Sequence, residues 1–461
     1  MSEDRQERFM AYVEALAEVI GHADRAAPLR DYCRGLLLPG ERKSVEPIAA
    51  VTAPARVSAK HQSLLHFVAN APWSNKRVLG RIQELTVPII EGSGAIEAWI
   101  LDDTGFPKKG RHSVGVARQY CGQLGQRDNC QIAVSLSLAN HVASLPIAWR
   151  LYLPLEWTAD AARRAASGIP EAVGFLSKPE IAREQIRAAY AAGLPRGVVL
   201  MDAGYGSNTW LRAEIGALGL SYVAGIPPQT SVWPPGTAPL PWSGRGRRPK
   251  LMRRDAENHP VSVKALALDL PQARWQTISW REGSTGALTS RFARVRVRAA
   301  HRDEWRTEPR DEEWLLIEWP EGEAEPAKYW LATLPPDMPF ERLVDLAKLR
   351  WRIERDYQEL KQELGLGHYE GRGWRGFHHH ATLCIAAYAF LIAERARLFP
   401  SAAGSAADQF ATPEISQTRP SRGAARPPRT TRRKLNCDDP PTPDRRSRNH
   451  PGTMSLLQRT A

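Results

Sequence analysis

Two short apolar runs, each closed by a carboxylate, constrain this chain more than any other feature. Trp99, Ile100 and Leu101 run into Asp102 and Asp103, with Thr104 and Gly105 behind; Val198 to Met201 run into Asp202, with Ala203 and Gly204 behind. Short runs of branched and large apolar residues bounded by turn residues have strand chemistry, and runs apolar at every position belong inside a covered sheet. An acid after a strand is ordinarily a turn or cap residue. Two acids at the ends of two buried strands are costly unless something cationic lies between them.

The texture around these runs divides the chain. Residues 1–92 read as a helical N-terminal domain that is a candidate for DNA binding: FMAYVEALAEVI places Phe9, Val13, Leu16 and Ile20 on one stripe, and HQSLLHFVAN and NKRVLGRIQEL follow. None of these helices carries a base-reading pattern. Over 93–227, AIEAWILDDTG, CQIAVSLSLAN and SLPIAWRLYLP read as three sequential antiparallel strands. A helix is then expected over DAARRAASGIPEAVGFLSKPEIAREQIRAAYAAG, a buried strand in RGVVLMDAGYG, a helix in TWLRAEIGALG and a strand in SYVAGIP. Strands first as a meander and then alternating with helices predict an α/β fold, a mixed sheet covered by helices. Residues 228–335 read as a β-rich insertion, with SRFARVRVRAA, EEWLLIEWP and KYWLATLP as strands. Over 336–398, FERLVDLAKLRWRIERDYQELKQELGL is the strongest helix of the chain, ended by Gly365 and Gly367, and TLCIAAYAFLIAERARL is a second long one.

Lys and Arg number 63 against 50 Asp and Glu, a net charge of +13, which draws the chain to a polyanion. Residues 401–461 hold 11 of the basic and 5 of the acidic residues with 8 Pro, so 399–461 is expected to be a disordered basic tail. That leaves 52 basic against 45 acidic residues over 1–400, and the body keeps half of the excess. Five cysteines without a CxxC pair fit neither a disulfide framework nor a zinc ribbon, and point to a reducing cytoplasm. The N-terminus is charged, and the longest nearly apolar run, Ala381–Ala393, is 13 residues, so no membrane association is expected.

On the strongest helix, Arg350, Glu354 and Lys361 are spaced by four and seven and share one face. Such a trio is ordinarily a solvated face with a weak ion pair. Trp351, Ile353, Tyr357 and Leu360 beside it argue instead for a helix packed down on the core.

These blocks together, WILDDTGFPKKG, RQYCGQLGQRDNCQ, VLMDAGYG and LRWRIERDYQELKQELGLGHYEGRGWRGFHHH, resemble the DDE transposases of bacterial insertion sequences, in the branch with a Tyr-x2-Arg-x3-Glu-x6-Lys signature. The resemblance runs from about residue 95 to 395. It implies a ribonuclease-H-like catalytic core, with Asp103, Asp202 and Glu354 as the metal-binding triad and Arg350 and Lys361 as signature partners. The signature Tyr falls at Ala347. Asp102 competes for the role of first acid; Asp103 is preferred because it directly precedes Thr104, and in a strand the two point to opposite faces. The chemistry agrees with this set. Phosphodiester transfer is served by two Mg²⁺ ions, for which Mn²⁺ substitutes, and hard cations take oxygen ligands rather than His or Cys. The resemblance also implies double-stranded DNA partners, the terminal inverted repeats of the element and a target, and a homodimer assembled on paired ends at the bacterial nucleoid.

Lys108, Lys109 and Arg111 after the first acid, and Arg372 and Arg375 around Trp374, are candidate phosphate contacts, as is the cluster from Arg245 to Arg254. His378, His379 and His380 point in three directions on a helix, so a phosphate contact or a helix start is expected of them and not a metal site. Trp233, Trp242, Trp275, Trp280, Trp305, Trp314, Trp319 and Trp330 lie in or beside the insertion; strand-core packing is expected for most, and a base-stacking role for an exception. No Walker loop, strand-borne GxGxxG or GxSxG is present. The expected activity is metal-dependent cleavage of element ends and strand transfer; a silent DNA-binding copy and a nuclease without strand transfer are the alternatives.

Overall fold

The computed structural model describes residues 3–239, 244–246, 258–283, 286–301 and 309–398, and these fall in one compact unit. The expected tail over 399–461, Trp242, Trp305 and most of the Arg245–Arg254 cluster lie outside the described residues.

The chain opens with α1 (Glu3–Ala17), α2 (Ala26–Leu37), α3 (Val45–Thr52), α4 (Val57–Ala69) and α5 (Asn75–Gly92). Then come β1 (Ala98–Pro107), β2 (Ala117–Cys121), β3 (Gln126–Ala139) and β4 (Ser144–Leu151). Short α6 (Leu155–Thr158) and α7 (Ala161–Ala166) precede α8 (Lys178–Ala191), β5 (Val198–Met201), α9 (Ala203–Gly206), α10 (Thr209–Ala217) and β6 (Tyr222–Ile226). The next stretch holds β7 (Ser231–Trp233), β8 (Val261–Ser262), α11 (Val263–Asp269), β9 (Gln276–Gly283), β10 (Gly286–Ala299), β11 (Glu313–Trp319) and β12 (Lys328–Ala332). Helices α12 (Phe340–Leu349), α13 (Trp351–Gln362) and α14 (Trp374–Leu398) complete the described chain.

The result is a mixed α/β molecule built on one large sheet. Among the described residues the strand order is β2-β3-β1-β5-β6-β12-β11-β10-β7-β8, with β4 also on β3 and β9 also on β10. The meander is antiparallel through β1, β3 and β4, while β5 is parallel to β1 and β6 parallel to β5. β1 and β5 are therefore central, and Trp99 to Leu101 and Val199 to Met201 are buried on both faces. The β-rich stretch continues this sheet, because β12 runs antiparallel on β6 with Leu331 beside Ala224.

Two elements differ from expectation. The helix read over residues 160–193 is interrupted: α7 ends near Gly168, which takes φ +59°, and α8 begins only at Lys178, where Glu180 accepts the Ser177 N–H. Gly168, Pro170 and Gly174 break the run, as helix-poor residues do in an exposed stretch. The strongest helix is divided at Arg350 into α12 and α13.

Helix α14 ties the N-terminal helices to the sheet. It is buried over nearly its whole circumference, with Phe390 against Phe9 and Tyr12 and with the Tyr12 hydroxyl donating to the Ala386 carbonyl. Phosphate contact is not the role of its three histidines. His378 Nε2 accepts the Leu151 N–H, His379 lies between the Val68 and Trp73 carbonyls and stacks on Trp73, and His380 bonds Tyr32 and the Gly365 carbonyl. Burial holds all three imidazoles down near about 4, so they are packing groups. No helix among the described residues is long and apolar enough to cross a membrane.

Candidate active site

The parallel pairing of β1 with β5 sets the ends of the two acid-bearing strands side by side, Leu101 opposite Met201. Asp202 leaves β5 in extended conformation and caps α9, its Oδ1 accepting the Tyr205 N–H at 3.2 Å. The tight turn needs small residues. A Cβ on Gly206 would lie 2.0 Å from the Gly225 carbonyl oxygen of β6, so only glycine lets α9 sit this close to the sheet.

Asp102 and Asp103 project to opposite faces of β1, as the pleat requires. Asp102 Oδ2 accepts from Arg350 Nη1 at 2.6 Å, and the same guanidinium reaches Glu354 Oε1 at 3.1 Å through Nη2. Asp103 Oδ2 is held by Lys178 Nζ of α8 and by the Tyr205 hydroxyl, each at 3.0 Å. The sequence reading put Asp103 first in the triad; in the structure Asp102 is the acid on the side of Arg350 and Glu354. The reason is packing, since Arg350 and α13 lie against the face of β1 that bears Asp102, and no count of residues along β1 reveals that.

Helix α13 is fixed over this face by Tyr357, whose hydroxyl shares a 2.7 Å bond with Ser135, the β3 residue opposite Asp102. Glu354, one turn earlier, keeps its side chain 64% exposed while Asp102 is only 15% exposed. Burial pushes the Asp102 carboxyl up to about 6 against the pull of Arg350, and the negative charge of Asp202 adds to the rise. Asp102 and Glu354 share one arginine, and the charge of Asp202 acts on the same Asp102 carboxyl.

Lys361 is farther along. Its ammonium donates to the Gly105 carbonyl at 2.8 Å and to Gln123 Oε1 at 2.9 Å, and burial lowers its pKa to about 8. It secures the end of β1 rather than touching an acid. Of the expected phosphate contacts, Lys109, Arg111, Arg372 and Arg375 are exposed, while Lys108 is partly buried and donates to the Tyr369 carbonyl. Arg375 is committed to the Asn70 carbonyl. Among the insertion tryptophans, Trp233, Trp314 and Trp330 are core residues, and Trp275 and Trp319 pack edge to face. Trp280 lies under the Lys348 ammonium, which is paired with Glu318.

Sequence reading missed Lys178 and Tyr205. Tyr205 lies three residues after the capping acid, a spacing that marks its N–H as the capped one but not its hydroxyl's reach to Asp103. Among the described residues, no three His, Cys, Asp or Glu side chains converge closely enough to hold a metal as they stand. The donor set nevertheless suits a hard divalent cation: carboxylate oxygens only, one carboxyl raised by burial with the charge of Asp202 adding to the rise, and a guanidinium bridging two acids as a cation would.

A family model described as DDE superfamily endonuclease matches residues 15–287, more than half of the chain and inclusive of Asp102, Asp103 and Asp202. The chain is also similar to a probable transposase for insertion sequence element IS701 from Microchaete diplosiphon, 25% identical over 330 residues that make up 70% of this chain and 71% of that protein.

Proposed function

The chain belongs to the DDE superfamily endonucleases, and from that premise we propose that it is an insertion-sequence transposase that cuts the terminal inverted repeats of its element and joins the freed ends to target DNA. The observation that carries the reading is the Arg350 bracket, one guanidinium holding Asp102 of the central strand and Glu354 of α13 with Asp202 acting on the same carboxyl. The catalytic core is read as ribonuclease-H-like, which the antiparallel β3-β1 pair followed by parallel β5 and β6 supports.

Asp102, Asp202 and Glu354 are the residues that would hold divalent metal, Mg²⁺ with Mn²⁺ as substitute, and Asp103 is the alternative first acid. Two bound ions supply activation of water or of a 3′-hydroxyl and neutralisation of the leaving oxygen. Arg350 keeps Asp102 and Glu354 apart and oriented before metal enters. Asp103, anchored by Lys178 and Tyr205, fixes the strand so that Asp102 faces the cleft. Lys361 holds the end of β1 against α13. Lys109, Arg111 and Arg372 meet phosphates near the site, and a homodimer on paired ends brings two such sites to one target.

The test is strand cleavage of labelled DNA carrying the element ends, with Mg²⁺ and with EDTA, by the unsubstituted protein and by Asp102→Asn, Asp103→Asn, Asp202→Ala and Glu354→Ala. Mg²⁺-dependent nicks lost in Asp102→Asn, Asp202→Ala and Glu354→Ala, and retained in part by Asp103→Asn, are expected. Binding without nicks by the unsubstituted protein would overturn the proposal in favour of a silent DNA-binding copy. Nicks with no joined product would reduce it to a nuclease.

A further inference from the structure

The hairpin of β2 and β3 has two unlike faces. On one, Cys121 and Cys130 are fully buried, and Cys121 packs so close to β1 that a Cβ on Gly105 would lie 2.7 Å from its sulfur. On the other, the register sets Arg118 opposite Asn129 and Tyr120 opposite Arg127, so Arg118, Tyr120 and Arg127 share a face. All three are exposed, Tyr120 by 60%, and the turn beyond them exposes Leu124 by 42%. Neither Arg118 nor Arg127 has an ion-pair or hydrogen-bond partner among the described residues, so both guanidinium groups are open to an anion.

This face is joined to the active site. Asn129 donates its amide to the carbonyls of Lys108 and Gly110, and Lys108 N–H returns a 2.9 Å bond to the Asn129 carbonyl. The loop with Lys109 and Arg111 is thereby pinned on the same side as Arg118. At the tip, Gln123 is gripped by Lys361 of α13, whose ammonium also holds the end of β1. The hairpin is thus bonded directly to the strand and the helix that bear the acids.

We propose that the exposed face of this hairpin is the contact surface for the DNA strand leaving the active site, with Arg118 and Arg127 on successive phosphates and Tyr120 stacked on an unpaired base. An unpaired guanidinium pair flanking an exposed aromatic is complementary to a phosphate backbone with a splayed base, and the aromatic's contribution is independent of sequence. The inference rests on reading the chain as a DNA-processing enzyme, and the test separates the two.

The full chain is titrated into a labelled random-sequence duplex with a single-stranded 3′ extension, and into the blunt duplex, from 50 to 200 mM salt by fluorescence anisotropy. Arg118→Ala with Arg127→Ala is expected to lower the log–log salt slope by about two, one phosphate for each arginine. Tyr120→Ala should weaken binding to the extended DNA roughly tenfold with the slope unchanged and leave the blunt duplex unaffected, and Tyr120→Phe should bind as the unsubstituted protein does. Hydrogen exchange over residues 117–127 in the unsubstituted protein should slow when extended DNA is added, a readout that does not depend on any variant folding. Unsubstituted salt slope and affinity in all three variants, with exchange unchanged, overturn the surface even if the protein cleaves DNA. Variants that break a dimer while binding DNA normally overturn it in favour of a second copy as occupant. A surface that behaves as expected in a protein that never nicks DNA would leave the single-strand contact standing and sink the transposase reading.

Discussion

At Tyr205 one residue serves both acid-bearing segments: its N–H donates to the capping carboxylate of Asp202 and its hydroxyl donates to Asp103. The hydroxyl is buried, and burial with the nearby carboxylates keeps it well above the ordinary phenol range, so it acts as a fixed donor. Tyr205→Phe should cost about 1 kcal/mol in urea unfolding and slow cleavage, because one net hydrogen bond is lost and β1 is less firmly held. Equal stability and rate in the variant would show that Lys178 alone suffices. Lys361 gives a pH prediction. Its folded pKa of about 8 lies below its ordinary 10.5, so below pH 8 both states are protonated and the fold bears the cost of a buried charge. Between those values the unfolded chain binds the proton that the folded chain has released, and stability rises with pH. Comparison with Lys361→Met at pH 7 and 10 should show the unsubstituted protein gaining about 2 kcal/mol relative to the variant.

Among the elements, α9 is short, four residues, and the most consequential for the site. Its four residues turn the chain from the end of β5 back along the sheet, and the contact of Gly206 with Gly225 sets where Asp202 lies. Gly206→Ala forces α9 off β6, since the obstacle is the Gly225 backbone carbonyl, which cannot rotate aside. We expect a loss of about 2 kcal/mol and a larger fall in cleavage than in DNA binding, measured by thermal unfolding, nicking and anisotropy on one preparation. Cleavage at the unsubstituted rate would mean that the turn tolerates displacement. Helix α12 meets the β-rich stretch at the Lys348–Glu318 pair, 13% and 6% exposed, with the Lys348 ammonium over the Trp280 ring. That pair joins the far strands of the sheet to the helix leading into Arg350.

For the molecule as a whole, α14 makes the N-terminal helices and the sheet interdependent. Its histidines and aromatics satisfy Tyr32, Val68 and Trp73 on one side and Leu151 on the other, and Glu394, 7% exposed, is paired with Arg8 of α1. A chain beginning at residue 93 would expose that buried surface and leave buried imidazoles and a carboxylate without partners. It should be insoluble or unfold well below the full chain in a thermal scan, whereas a stable, cooperatively folding fragment would show that the sheet needs no such cover.

Local chemistry made several features legible from sequence alone. The two apolar runs had to be buried strands, the acids had to follow them, and Arg350, Glu354 and Lys361 had to share a helix face, because side-chain period and turn propensity act over a few residues. The exchange of Asp103 for Asp102 on the Arg350 side, the interruption of the helix after α7, the burial of three histidines and the continuation of the sheet from β6 to β12 were not legible. Each depends on which face of which strand a distant helix covers, or on which edge a returning strand meets, and those choices are fixed by burial and pairing between residues far apart in the chain. Periodicity names the face of an element; only packing decides what lies against it.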